Sequence, residues 1–165
     1  MSIQTFAEAY NPSLEAVRKF LPAIVDAAYK PTRAEIDGGT NLTEDIVAMA
    51  GWTVEPATAA VRRVGRRVDS QVDARTTLPT CTITVVADRD PAKDIRAKLQ
   101  VGQTGFLWFA ESGDREGAVA DVWSVRVASI NKPYRTDDGE QQIVVTFTVR
   151  DEPAYDVEIP APAAG

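Results

Sequence analysis

Residues 141–149 read Gln-Gln-Ile-Val-Val-Thr-Phe-Thr-Val and show the strictest alternation of apolar and polar side chains in the chain. Successive side chains of a strand point to opposite faces of its sheet. One face of this segment therefore carries Ile143, Val145, Phe147 and Val149, and the other carries Gln142, Val144, Thr146 and Thr148. The pattern predicts a strand with one face in an apolar core.

The same kind of pattern recurs elsewhere and predicts an antiparallel sheet. Thr80 to Ala87 alternates with Cys81 on the apolar side, where we expect a buried thiol. Residues 105–110 form a short aromatic segment, and residues 118–130 place Trp123, Val125 and Val127 on one face. Val17 to Val25 is typical of a further strand, which Pro22 would confine to a sheet edge.

One segment carries the signals of a helix. Asp90 and Pro91 suit the N-cap and the first helical position, Ile95 and Leu99 share one face, and Gly102 lies just past the end. A single capped turn is also predicted at 32–37. The expected fold is mainly β: an antiparallel β-sandwich or barrel with one flanking α-helix at about 88–100.

The 165 residues suit one domain with a sizeable core. We expect a flexible N-terminal arm at 1–16, a β-sandwich domain at 17–158 with a long arm at about 55–78, and a C-terminal Pro/Ala extension at 159–165 without packing capacity. No run of 18 apolar residues and no signal-like N-terminus is present. The sequence therefore predicts no membrane span and synthesis in the cytoplasm.

The composition argues against an enzyme. Histidine is absent, which removes the commonest general base and the commonest metal ligand. A lone cysteine excludes an intrachain disulfide, and no phosphate-binding loop, dinucleotide motif or nucleophile elbow is found. We therefore expect no catalytic residues, no metal and no cofactor.

The segment 60–75 contains five arginines and two aspartates, a local charge of +3 in a chain of net charge −6. Its valines recur at helical spacing, but Gly65 lies in the middle, and we prefer an extended hairpin arm that turns near Gly65. Such an arm could bind nucleic acid or dock on an acidic neighbour. Residues 57–77 hold no aromatic side chain, which disfavours a single-strand binder.

The polar faces of the predicted strands are unusually neutral, with threonine and glutamine where lysine and glutamate are common on exposed sheets. Thr80, Thr82, Thr84, Gln142, Thr146 and Thr148 make up this set. Such a face could contact bulk water, or it could line a surface shared within an assembly.

Several motifs together resemble the major tail tube proteins of long-tailed (siphovirus-type) bacteriophages, notably those of actinobacterial hosts. They are Pro31-Thr32-Arg33-Ala34-Glu35-Ile36, Gly39-Thr40-Asn41-Leu42-Thr43, Gly51-Trp52-Thr53-Val54 and Asp121-Val122-Trp123-Ser124-Val125, in this order and with the strands between them. The resemblance covers about residues 20–160. The first fifteen residues and the density of arginine at 62–67 depart from the family pattern.

The resemblance implies a structural virion protein that forms stacked hexameric rings around a channel for phage DNA. It also implies inner strands that join into one barrel, which makes Thr82, Thr84, Gln142, Thr146 and Thr148 candidates for the lumen. Arg62, Arg63, Arg66, Arg67 and Arg75 become candidates for contacts between subunits. Implied partners are further copies, the tape-measure, tail terminator and distal tail proteins, and the DNA that passes through.

Other virion roles remain open at this level. A capsid decoration protein or a tail-tip component would share the β-sandwich character and the lack of catalytic groups. A nucleic-acid-binding module that uses the arginines of 62–75 is the alternative from a different class.

Overall fold

The computed structural model describes residue 9 and residues 11–61, 64–65, 67–68, 70–76 and 78–162. Its helices are α1 (Pro12–Glu15), α2 (Arg33–Asp37) and α3 (Ile95–Lys98), with a 3₁₀ turn at Pro91–Lys93. The strands are β1 (Val17–Leu21), β2 (Thr40–Asn41), β3 (Ile46–Ala50), β4 (Thr58–Val61), β5 (Ser70–Asp73), β6 (Thr80–Val86), β7 (Thr104–Ala110), β8 (Val119–Asn131), β9 (Gln142–Val149) and β10 (Ala154–Glu158).

Eight of these strands form one antiparallel sheet in the order β2-β1-β7-β8-β9-β6-β3, and β10 also pairs with β8. Strands β4 and β5 form a separate two-stranded sheet. The mainly β, antiparallel fold predicted from the sequence is confirmed. None of the helices in the described part of the chain is long and apolar enough to cross a membrane.

The large sheet curls because its two ends are close neighbours in the chain. β2 and β3 stand at opposite ends of the strand order, yet only residues 42–45 separate them. Four residues cannot reach across a flat sheet of seven strands, which lie about 4.8 Å apart. The Leu42 amide donates to the Arg18 carbonyl at one end, and the Val86 amide donates to the Asp45 carbonyl at the other. The curl encloses the larger of two apolar cores.

Strand β8 connects the two cores. One side of it pairs with β7, whereas the other side pairs with β10 along its first half and with β9 along its second half. Its middle residues, from Val122 to Val125, are buried on both faces. Sequence alternation alone predicted one buried face here, and the second buried face comes from layers that pack against the opposite side.

The larger core lies inside the curl. Its buried residues are Phe20, Leu42, Cys81, Ile83, Val85, Ile95, Leu99, Leu107, Phe109, Trp123, Val125, Val127, Ile143, Val145, Phe147 and Val149. Trp52 packs against this core, with its ring 5.2–5.9 Å from the rings of Phe109, Trp123 and Phe147. The predicted inward faces of β6, β8 and β9, and the buried thiol, are thereby confirmed.

The smaller core lies on the other face of β1, β7 and β8. It contains Leu21, Ile36, Trp108, Ala110, Ala120, Val122, Val157 and Ile159. Ile159 is only 1% exposed, so the expectation that residues 159–165 lack packing capacity is wrong at its first residue. The Arg33 guanidinium contacts both carboxylate oxygens of Asp114, at 2.7 and 2.8 Å, and ties α2 over this core.

The flanking helix predicted at about 88–100 is interrupted. Asp90 caps the 3₁₀ turn as expected, but Asp94 is extended, with φ −113°, and caps a second turn, α3. The Asp94 carboxylate accepts hydrogen bonds from the amides of Asp88 and Arg96, which a continuous helix would not allow. Ile95 and Leu99 are nevertheless buried as predicted. Because of this interruption, residues 88–100 can bend over the larger core while the backbone amides at the bend keep hydrogen-bond acceptors.

The first strand also differs from its prediction. β1 ends at Leu21, so Pro22 lies just outside it and removes no ladder hydrogen bond. The strand is therefore not an edge: it pairs with β7 along its full length and with β2 at Lys19 and Phe20.

The inward face of β9 gives a first prediction. Phe147 is fully buried in the larger core, and we expect Phe147→Ala to lower the free energy of unfolding by about 3–5 kcal/mol because it removes a large side chain and leaves a cavity. The neighbouring Thr148 is exposed, so Thr148→Ala should change it by less than about 0.5 kcal/mol. Urea unfolding followed by tryptophan fluorescence measures both, and equal effects would contradict the assigned faces.

The cap at Asp94 gives a second prediction. Asp94→Ala leaves two amides without acceptors and should cost about 1–3 kcal/mol of unfolding free energy, whereas Asp94→Asn keeps an oxygen acceptor and should cost less. The Arg96 side chain and the two amides hold the pKa of Asp94 below its ordinary 3.8. A carboxylate whose pKa is lower in the folded than in the unfolded protein stabilises the fold at every pH above its unfolded-state pKa. This stabilisation is lost as the pH falls through the folded-state pKa. The gap between wild type and Asp94→Asn should therefore shrink below about pH 4, and a gap independent of pH would refute the ionic contribution.

Candidate functional site

The strands β3, β6, β9 and the second half of β8 present a face that points away from the larger core. We call it the neutral face; its residues are Ala48, Ala50, Thr80, Thr82, Thr84, Val86, Arg126, Ser129, Asn131, Gln142, Val144, Thr146 and Thr148. Arg126 is its only charged member. All five candidates for the lumen lie on this one face, so the structure brings them together.

Cross-strand pairs give the neutral face its regular shape. Thr80 stands directly opposite Thr148, and Thr82 stands opposite Thr146. On β3, Ala48 and Ala50 stand opposite Thr84 and Thr82. Cross-strand pairs of β-branched side chains stabilise an antiparallel sheet. Because threonine and alanine are both short, no side chain at these positions projects far from the neutral face. The sequence did not place the alanines of β3 on this face, because a segment without alternation of polarity gives no face assignment.

The four-stranded part of the sheet has two free edges. Among the described residues no strand pairs with β3 on the side away from β6, or with residues 128–131 on the side away from β9. The edges read Ile-Val-Ala-Met-Ala and Ala-Ser-Ile-Asn, without charge or proline. Each contains one irregularity of register, near Val47 and Ala128. Natural proteins protect open edges with lysine, proline or bulges. These two edges carry one bulge each but neither lysine nor proline, so the residues beyond each bulge are suited to pairing.

The basic arm is a hairpin. Thr58 to Val61 pairs with Ser70 to Asp73, and Gly65 lies at the turn with φ +86°, a conformation that favours glycine. This confirms the extended hairpin that turns near Gly65. From residue 55 to residue 76, every described residue except Val61 is exposed. Val64 and Val68 are 107% and 79% exposed. The hairpin therefore projects from the domain with apolar as well as basic side chains uncovered.

The arm leaves from one end of the neutral face. β3 ends at Ala50 and β6 begins at Thr80, and both termini lie at the end of the sheet where Thr148 pairs with Arg126. Trp52 and Leu78 pack against the larger core and hold the two chain segments at the base of the arm. The Trp52 indole also donates to the Thr82 carbonyl at 3.1 Å.

The predicted contact arginines are only partly described. Arg67 and Arg75 are exposed, on the turn and at the base of the arm. Arg62, Arg63 and Arg66 lie outside the described residues. A role of these five side chains in contacts between subunits stays a prediction.

The described residues offer little for catalysis. They contain no cluster of three or more metal-ligating side chains. Burial raises the pKa of the Cys81 thiol to about 11, and the thiol donates to the Gly51 carbonyl at 3.0 Å. A thiol with a raised pKa is a poor nucleophile at neutral pH.

The fold is that of known tail and injection machines. The chain is similar to the sheath/tube terminator of the PVC extracellular contractile injection system, with a TM-score of 0.61, 11% identity and coverage of 90% of this chain and 97% of that chain. It is also similar to the SPP1 tail tube (TM-score 0.55, 14% identity, 88% and 78% covered) and to a chain of the gene transfer agent virion (TM-score 0.52, 10% identity, 89% and 98% covered). At these identities the likeness shows the fold. No curated protein sequence matches the chain significantly.

The family model for phage tail tube protein matches residues 18–162. The chain therefore belongs to the phage tail tube protein family, whose members are structural proteins and not enzymes. The resemblance recognised in the sequence is confirmed.

Proposed function

We propose that this protein assembles into stacked hexameric rings that form the tail tube, the conduit for phage DNA. One observation carries the proposal: the four-stranded part of the sheet combines a neutral outward face with two uncharged edges that pair with no strand in the described part of the chain. In a β-sandwich that works alone, open edges only promote aggregation. In a ring of copies, each edge can pair with the opposite edge of the neighbouring copy.

The strand directions support closure of such a ring. β8, β9, β6 and β3 are antiparallel in turn, so β3 runs opposite to β8 within one copy. Rotation about a ring axis keeps each strand's direction along that axis. The β3 edge of one copy would thus meet the free edge of β8 in the next copy as an antiparallel pair, at every junction alike. The contact is head-to-tail, and it closes when the rotation closes.

The neutral face would then line the lumen. Thr82, Thr84, Gln142, Thr146 and Thr148 offer short uncharged groups to passing DNA. Each basic contact to a phosphate adds salt-dependent affinity and slows movement. A lining with one arginine per copy and a subunit net charge of −6 suits transit better than binding.

The hairpin arm would dock on a neighbouring copy. A two-stranded hairpin with exposed valines is marginally stable in water by itself, and the charge of +3 over residues 60–75 is opposite in sign to the net charge of the subunit. The arginines at 62, 63, 66, 67 and 75 would meet carboxylates of the neighbour. Synthesis in the host cytoplasm and contacts with tape-measure, terminator and distal tail proteins complete the proposal.

A tail terminator is the second candidate, favoured by the likeness in fold to the PVC sheath/tube terminator and to the cap of the anti-feeding prophage (TM-scores 0.61 and 0.56). A terminator would form one ring and stop, whereas a tube subunit would continue to stack. The two candidates therefore differ in the product of self-assembly.

Electron microscopy of the purified protein at increasing concentration tests the proposal. We expect hollow tubes of constant width and variable length, because a stacking contact that repeats has no built-in limit. Single rings at all concentrations would favour the terminator. A monomer at every concentration tested would contradict both candidates.

The arm gives a further prediction. Arg66→Glu with Arg67→Glu sets like charges together in every copy, so folded monomers should assemble poorly although each exposed pair contributes only about 0.2–1 kcal/mol. The matched control is Arg89→Glu with Lys93→Glu, an equal charge change on exposed residues outside the arm. Assembly by light scattering and hydrogen exchange of residues 58–73 in monomer and tube are the measurements. Equal exchange in both states, or equal assembly of both variants, would refute docking of the arm.

A further inference from the structure

A basic groove lies at the end of the neutral face from which the arm leaves. It has a volume of about 440 Å³ and is lined by Val101, Gly102, Arg126, Ala128, Thr148 and Arg150 among others. Val101 is 64% exposed. Arg126 and Arg150 form no ion pair with any residue in the described part of the chain. The groove thus presents two positive charges that no described residue pairs with, beside an exposed apolar side chain, in a subunit of net charge −6.

The opposite end of the same strands carries a loop of complementary character. Residues 132–141 connect β8 to β9, and we call them the acidic loop. Tyr134 is 85% exposed. Asp138 and Glu140 form no ion pair with described residues, whereas Asp137 pairs with Arg135. The loop, whose net charge is −1, therefore offers an exposed tyrosine and two carboxylates that have no ion pair among the described residues. The Lys132 ammonium lies 5.9 Å from the centroid of the Tyr134 ring and would have to move aside, or share the contact, when this ring docks.

The acidic loop is held in shape before any partner binds. The Arg135 guanidinium donates to the carbonyls of Asp138 and Glu140, at 3.2 and 3.3 Å. The side-chain amide of Gln141 donates through Nε2 to the Pro133 carbonyl. Gly139 has φ +139°, and a Cβ there would lie 2.7 Å from the Arg135 guanidinium. A preorganised loop loses less conformational entropy when it docks.

The groove and the loop lie at opposite ends of β8 and β9. Asn131, the last residue of β8, lies five positions after Arg126, which corresponds to about 16 Å of strand. Two complementary surfaces at opposite ends of one axis cannot meet within a copy. They can meet between copies that are placed end to end in the same orientation, and this contact repeats without limit.

We infer that the acidic loop of one copy inserts into the basic groove of a second copy stacked on it. Tyr134 covers Val101, and Asp138 and Glu140 pair with Arg126 and Arg150. This inference rests on the proposed function and deepens it, because it assigns the stacking contact between rings to six charged or apolar side chains outside the arm and outside the two sheet edges, although the groove borders the β8 edge at Ala128.

Charge exchange tests the inference on the full chain. Arg126→Glu with Arg150→Glu should raise the protein concentration needed for tube formation roughly tenfold or more, since like charges then face each other at each stacking contact. Asp138→Lys with Glu140→Lys should do the same. The variant that carries all four changes should restore tubes toward wild type, because the pairs are re-formed with reversed sign. Poor tube formation by the fourfold variant would overturn the pairing, as would normal tube formation by either double variant.

A loop variant, the state of the rings and DNA binding distinguish a failure of this inference from a failure of the proposed function. Gly139→Ala strains the loop at a left-handed position and displaces Arg135, far from both cores, so it should weaken stacking while lowering the melting temperature only slightly. Unimpaired stacking would contradict a preorganised loop. Single rings should persist in both double variants, whereas loss of rings as well would place these residues in the lateral contact and overturn the inference. If wild type forms no tubes at all, the proposed function fails instead. Salt-sensitive binding of duplex DNA by wild-type protein that Arg126→Glu abolishes would assign the groove to phosphate and also overturn it.

Discussion

The structure depends on the pairing of β8 with three other strands. A strand buried on both faces and hydrogen-bonded along both sides fixes the position of each element that it contacts. β7 brings β1 and α2 into place, and β9 brings β6 and β3. Because β9 and β10 share one side of β8, the sheet divides there into a part that curls around the larger core and a part that covers the smaller one.

This division explains why part of the sheet stays open. Beyond Val127, β8 no longer pairs with β7, and among the residues that the structure describes no strand pairs with β3 on the side away from β6. A protein that worked alone would have to cover these edges or place charges along them. Here the edges, the neutral face between them and an uncovered hairpin occur in one chain. Membership of the phage tail tube family is consistent with all three, because each would be completed by another copy in the proposed tube.

Sequence reasoning succeeded where the physical signal was local. Alternation placed Ile83, Val125 and Phe147 in the core, and Gly65 marked the turn of the arm. It failed where distant contacts decided the outcome. Asp94 breaks the expected helix because its carboxylate caps a turn over the core, and Ile159 leaves the expected extension because a second core accepts it. The free edges of β3 and β8 could not be predicted from the sequence, because no sequence pattern shows that a strand will have no partner on one side.

The sequence by itself determined the class of fold, the inward faces of the main strands, the hairpin and the family. These follow from the period of two in a strand, from turn chemistry and from motif order, all of which act over a few residues. Only the tertiary structure decided that the threonines of β6 and β9 form one surface with the alanines of β3, and that the Arg126 groove and the acidic loop stand at opposite ends of β8. Such juxtapositions depend on register and curl, which are set by pairing between residues far apart in the chain.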